Sequence, residues 1–170
     1  MNEQELLNNL LQTAKQEKLD AEILPASETV PFDLLLVFLG HDQKQRERII
    51  EITGKKQVLG QNSKDDYFHI QFAAKLPIKT QTSALFDTGS LLLYLNRFLD
   101  LPGFEMSESD ATIHYRYVLM STGMPDEKLF LSLLGLIGLY LTLYAELIEI
   151  VATGKKEFND ILEEILEAAT

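Results

Sequence analysis

Apolar residues recur at three- and four-residue steps over residues 3–18, where Leu6, Leu7, Leu10, Leu11 and Ala14 alternate with Glu, Gln, Asn and Lys. That spacing predicts an amphipathic helix. Residues 20–31 hold two prolines and a serine and are expected to form a loop. Phe32–Leu39 is dense in Leu, Val and Phe, Gly40 leads a polar turn to Gln45, and Arg46–Thr53 returns with three isoleucines. The pair predicts a hairpin. Gly54–Asp66 reads as a polar connection. In Tyr67–Ala74, Phe68, Ile70 and Phe72 alternate with Tyr67, His69 and Gln71, as in a strand with one face in a core.

Beyond Pro77 the pattern returns to a helix, from about Ser83 to Leu99, with Leu85, Leu92, Leu95 and Leu99 on one stripe. Phe104–Ser107 and Thr112–Met120 predict two strands around the polar turn Glu108-Ser109-Asp110, with Ile113, Tyr115 and Tyr117 on one face. Pro125-Asp126-Glu127 starts a long helix, because proline suits a first turn and early acids complement the helix dipole. Gly154 is expected to end it. A last helix follows, with Phe158, Ile161, Leu162, Ile165 and Leu166 apolar and Asp160, Glu163, Glu164 and Glu167 on its acidic face.

The element order α-βββ-α-ββ-α-α predicts a single α+β domain over residues 1–170. In it a mostly antiparallel sheet of about five strands carries helices on one face. Leu129 to Ala145 contains no charge, but spanning a bilayer takes ~20 apolar residues and no basic cluster flanks the run. A helix buried nearly all round is expected instead. Gly135 and Gly138, with Ser132 nearby, would make a flat patch for close helix packing within the chain or across a dimer contact.

Composition narrows the chemistry. Of the 170 residues, 46% are hydrophobic and 24% charged, which suits a buried core. There is no cysteine, so disulfides, thiolate nucleophiles and cysteine-bound metals are excluded. The net charge of −11 opposes nucleic acid and anionic membrane as partners and favours basic or apolar ones. The first residues carry acids where a signal peptide needs basic residues, so a cytoplasmic protein is expected.

No catalytic constellation emerges. His41, His69 and His114 belong to no metal-binding pattern, although His41 and His69 with Asp42 or Asp66 could in principle gather around an ion. Ser90 follows Gly89 without the Gly-x-Ser-x-Gly elbow. Gly54-Lys55-Lys56 lacks both the earlier glycine and the Ser or Thr of a phosphate loop. Asp65-Asp66 and Glu163-Glu164 read as solvated charge. The expectation is a non-enzymatic protein with no cofactor and no metal.

The alternation of Phe32–Leu39 leaves two sets. If Phe32, Leu34, Leu36 and Phe38 face the helices, then Leu35, Val37 and Leu39 lie on the open face beside Ile49 and Val118. A contiguous apolar strip of that kind marks either a candidate partner-binding surface or a face that the terminal helix or a subunit partner covers.

The element order and several short stretches resemble the YbjN family and the related type III secretion chaperones. The local likeness lies in Leu95-Asn96-Arg97-Phe98-Leu99, Gly103-Phe104, the run Ile113-His114-Tyr115-Arg116-Tyr117-Val118-Leu119, Pro125-Asp126-Glu127 and Thr153-Gly154-Lys155. It covers the second half of the chain well and the first half by element order. The helix from Phe158 extends beyond the shared core. The resemblance implies an α/β sandwich that often dimerises and has no catalytic residues. Secretion chaperones of this type are acidic and cytoplasmic and hold an unfolded polypeptide segment across apolar patches. YbjN-like proteins have a role described as regulatory. The resulting expectation is a homodimeric polypeptide-binding module, with a regulatory or small-ligand-sensing protein on the same scaffold as the alternative.

Overall fold

The structure, a computed structural model, describes residues 1–58 and 66–168. Four helices, α1 (Glu3–Gln16), α2 (Leu85–Asn96), α3 (Glu127–Ala152) and α4 (Phe158–Ala168), accompany six strands. The strands are β1 (Asp20–Leu24), β2 (Leu34–His41), β3 (Glu47–Val58), β4 (Asp66–Lys75), β5 (Phe104–Met106) and β6 (Ile113–Ser121). They form one antiparallel sheet in the order β1-β2-β3-β4-β6-β5, on which helices pack. The α+β class is the one the pattern predicts. The backbone groups into two compact units, Met1–Ala74 with Arg116–Gly138, and Lys75–Tyr115 with Leu139–Thr170.

In the first unit α1 starts on a capping box. The Glu5 amide donates to Asn2 Oδ1 at 2.8 Å and the Asn2 amide donates to Glu5 Oε2 at 2.9 Å, satisfying two donors that a helix start leaves open. Its stripe of Leu6, Leu7, Leu10 and Ala14 is fully buried against the sheet. At Gly54 a β-carbon would stand 2.6 Å from Leu6 Cδ2, so the strand lacks a side chain where the helix crosses most closely. The cross-strand register then fixes one buried face. Leu35 stands opposite Ile52 and Val37 opposite Ile50, while Ile52 stands opposite Phe72. The Phe72 ring lies 6.2 Å from Phe130 of α3 and 6.4 Å from Tyr117 of β6, placing those side chains on the same face.

The second unit is built around rings. Phe104 meets Tyr115 edge-on at 5.2 Å and Tyr144 at 6.2 Å, and Tyr115 lies 6.1 Å from Tyr140. Such tilted and edge-to-face pairs suit the aromatic quadrupole. Polar side chains pin the short β5. Asn96 Oδ1 accepts from the Gly103 and Phe104 amides, its Nδ2 donates to the Phe104 carbonyl, and the Tyr115 hydroxyl donates to the Leu101 carbonyl at 2.6 Å. At the end of α3 the Lys155 amide reaches the Ile150 carbonyl and the Gly154 amide the Val151 carbonyl. Gly154 has φ +67, so the glycine expected there does terminate the helix.

Three expectations are corrected. The stretch read as a loop from residue 20 contains β1, an edge strand whose Asp, Ala and Glu have little strand preference of their own, so its pairing with β2 decides the conformation. The sheet therefore has six strands rather than five. The stretch from Gly54 read as a connection continues β3 through Val58, and residues 59–65 lie outside the described residues. Finally, α3 is not buried all round. Only 33% of its most apolar 18-residue stretch is buried, and Leu129, Leu139 and Leu143 are exposed. Among the described residues, α3 is the one helix long and apolar enough to cross a membrane, by length and composition alone.

Candidate functional site on the open sheet face

Directly opposed residues of an antiparallel pair project to the same side. In the first unit, Asp20 stands opposite Phe38 and Phe38 opposite Ile49, while Glu22 stands opposite Leu36 and Leu36 opposite Glu51. These two rows lie on the side away from Leu35, Val37, Ile50 and Ile52. Leu36, Phe38 and Ile49 are half-buried, whereas Asp20, Glu22 and Glu51 are exposed. The result is an apolar centre with carboxylates on both flanks. Asp20, Glu22, Leu36, Phe38 and Ile49 line a depression of about 420 Å³ together with Ala21, His41 and Glu47, and Glu51 stands beside it opposite Leu36.

The register of β2 and β3 shifts between Phe38 and His41, which both line the depression. The His41 ring lies edge-on to Phe38, with centroids 5.1 Å apart. The turn beyond is fixed by Asp42. Its carboxylate accepts from the Lys44 and Arg46 amides at 2.8 and 2.9 Å and from Arg46 Nε at 2.6 Å. Desolvation raises the Asp42 pKa, but the bonds from Arg46 and Lys44 outweigh it and leave the carboxyl below its ordinary range. Asp42 is thereby committed to the turn, while Glu47, Glu51, Glu22 and Asp20 present their charge at the rim.

The strip of Leu35, Val37, Leu39, Ile49 and Val118 is reassigned in part. Leu35 and Val37 are fully buried on the helix-covered face, so the parity of β2 is the reverse of that expected. Leu39 is half-buried and approaches Gly138 of α3, 3.2 Å from where a β-carbon would stand. Ile49 and Val118 are half-buried, and strand alternation puts both on the open side, Val118 being next to inward-facing Tyr117. Because every residue from Leu34 to Leu39 is apolar, β2 alone carries no parity signal. The missed signal lay in β3. Glu47, Ile49, Glu51 and Thr53 mark the wet face and Ile50, Ile52 and Gly54 the dry one, and pairing transfers that choice to Leu36 and Phe38.

Of the three small residues singled out on α3, Gly138 makes the close intramolecular approach, to Leu39. Ser132 and Gly135 are exposed, and nothing lies within 4 Å of a β-carbon built on Gly135. His41 stands opposite Glu47 and His69 opposite Lys55, on separate strand pairs. Among the described residues no three His, Asp or Glu side chains gather as a cage for a metal ion. No protein-family model matches the chain, and no curated protein matches it.

Proposed function

We propose that this protein is a non-enzymatic polypeptide-binding module. It holds an extended segment on the open face of β1, β2 and β3, with an apolar side chain in the depression and Lys or Arg side chains over its rim. The observation that carries this reading is the combination of Leu36, Phe38 and Ile49 with the surrounding carboxylates of Asp20, Glu22, Glu47 and Glu51. An apolar centre supplies affinity by desolvation, and the carboxylate rim selects charge and steers encounter. The overall charge of −11 acts in the same direction. The role also agrees with what the resemblance to secretion chaperones implies.

The test uses a fluorescent peptide alternating Lys with Leu and Phe, and a version with Glu for Lys. The basic peptide should bind, more weakly as salt rises, because exposed charges are screened beyond about 10 Å at 0.1 M salt. Phe38→Ser and the pair Glu22→Lys with Glu51→Lys should each weaken binding by roughly tenfold or more. Equal binding of the acidic peptide, or full binding by a folded Phe38→Ser variant, would refute the proposal.

A further inference from the structure

A second concave site lies wholly within the second unit. Residues 75–80, where the chain leaves β4, and residues 110–112, in the turn between β5 and β6, line a cleft of about 310 Å³. Hydrogen bonds fix both segments. The Leu76 amide donates to the Ile113 carbonyl at 2.9 Å, the Ile78 amide to the Leu76 carbonyl at 2.8 Å and the Gln81 amide to the Ala152 carbonyl at 2.8 Å. Thr80 Oγ1 donates to the Ala111 carbonyl at 2.9 Å and ties the two segments together. The turn itself is closed by the Ser107 amide on the Thr112 carbonyl, and by the Thr112 amide and hydroxyl on Asp110 Oδ1. Ala111 is held at φ +55, a left-handed conformation uncommon for a residue with a side chain. A cleft ordered in advance in this way gives up little freedom when a ligand enters.

Charge selects what the cleft can hold. Lys75 and Lys79 both line it and are exposed, and among the described residues no carboxylate stands within ion-pair distance of either ammonium. Two unpaired ammonium groups over one cleft stand out on a chain with 26 acids and 15 Lys and Arg. The acid of the cleft, Asp110, is taken up by its own turn, where bonds from Ser107 and Thr112 hold its carboxyl far below the ordinary range. Two lysines and one aspartate leave a single net positive charge. Leu76, Pro77, Ile78 and Ala111 supply the apolar part of the lining. One positive charge beside an apolar wall suits a monoanion with an apolar body. A dianionic phosphate would bring its second charge up to the Asp110 carboxylate unmatched.

We infer that this cleft binds a small organic monocarboxylate, with the carboxylate between Lys75 and Lys79 and the apolar body against Pro77 and Ile78. A lysine ammonium offers three donors on a flexible stem, so two of them can close over one carboxylate. The cleft stands at the small end of ligand pockets, which run from about 300 to 1,000 Å³, and so suits a compact molecule rather than a polypeptide. It shares no residue with the depression on β1, β2 and β3 and does not depend on the peptide-binding proposal.

Titration of the ¹⁵N-labelled full chain with phenylacetate, followed by amide chemical shifts, gives the test. The Lys79, Thr80, Ala111 and Thr112 amides should shift together and saturate, with a Kd of about 1 mM or tighter. Phenylacetamide, which has the same body without the charge, should bind roughly tenfold more weakly or not at all. Lys75→Gln with Lys79→Gln changes two exposed side chains, so the spectrum should stay dispersed while saturable binding is lost. No saturation by about 10 mM phenylacetate, or undiminished binding by the folded double variant, would overturn the inference. So would three ligand results that need no variant. Equal binding of phenylacetamide would reduce the site to apolar contact, and tighter binding of phenyl phosphate would reassign it to a dianion. The same shifts in sodium chloride of equal ionic strength would leave an adventitious ion only.

Discussion

Leu35 and Leu36 are neighbours of identical chemistry on the same strand, and they face opposite environments. Leu35 is fully buried, opposite Ile52 and on the side that α1 and the start of α3 cover. Leu36 is half-buried between Glu22 and Glu51 on the opposite side of the strand. The covered face is apolar, aliphatic on β2 and β3 and joined by Phe72 on β4, and is closed by a helix stripe and a glycine crossing. The open face mixes three apolar side chains with acids. One strand therefore has two environments: alternate residues hold the fold together, and those between them form the surface proposed above to bind. Substitutions on the two faces should accordingly separate stability from binding.

The largest separation is expected from the leucine pair itself. Leu35→Ala leaves a cavity in a closed core and should lower unfolding free energy by about 2–5 kcal/mol. Leu36→Ala removes a partly hydrated side chain and should cost about 1 kcal/mol or less. Urea unfolding monitored by circular dichroism measures both, and similar costs at the two positions would erase the distinction between the faces. The covered face also depends on α1 being formed. Asn2→Ala removes one half of the capping box and should cost about 1 kcal/mol. The basic peptide should still bind to this variant wherever it is folded, because Asn2 lies at the far end of a helix on the other face.

The covered face was legible in outline and the open face was not, for a physical reason. The helix of residues 3–16, strand β4 and strand β6 each alternate between apolar and polar residues, so sequence alone orients them. In β2 every position from 34 to 39 is apolar, and orientation is set by which residues of β3 stand opposite. The register shift between Phe38 and His41 is a further step that sequence spacing does not announce. Strand β1 was hidden for the converse reason: its residues favour no strand until β2 is beside them. The exposure of α3 escaped notice because a run of Leu and Ile looks the same whether it faces a core or a partner. The Gly154 helix end and the Pro125-Asp126-Glu127 start were legible because capping is local chemistry. Asp126 Oδ1 accepts from the Lys128 and Leu129 amides at 2.9 and 3.2 Å.

The smallest predicted effect sharpens the division among the carboxylates. The acids at the rim of the open face are assigned to binding, whereas Asp110 belongs to folding. Bonds from the Ser107 hydroxyl and from the Thr112 hydroxyl and amide hold its pKa down, from its ordinary 3.8 to about 2. A carboxyl depressed in the folded state contributes stability that is complete above its unfolded pKa and disappears as pH falls through its folded one. The contribution from Asp110 should thus be present above about pH 4 and fade between there and about pH 2. Asp110→Asn should narrow the difference in urea midpoint between pH 5 and pH 2.5 relative to the native sequence. Peptide binding at neutral pH should be unchanged, because Asp110 lies in the turn between β5 and β6 and not among the rim acids of β1 and β3. If the variant instead lost binding while keeping its native acid profile, the separation of structural from binding carboxylates would have to be redrawn.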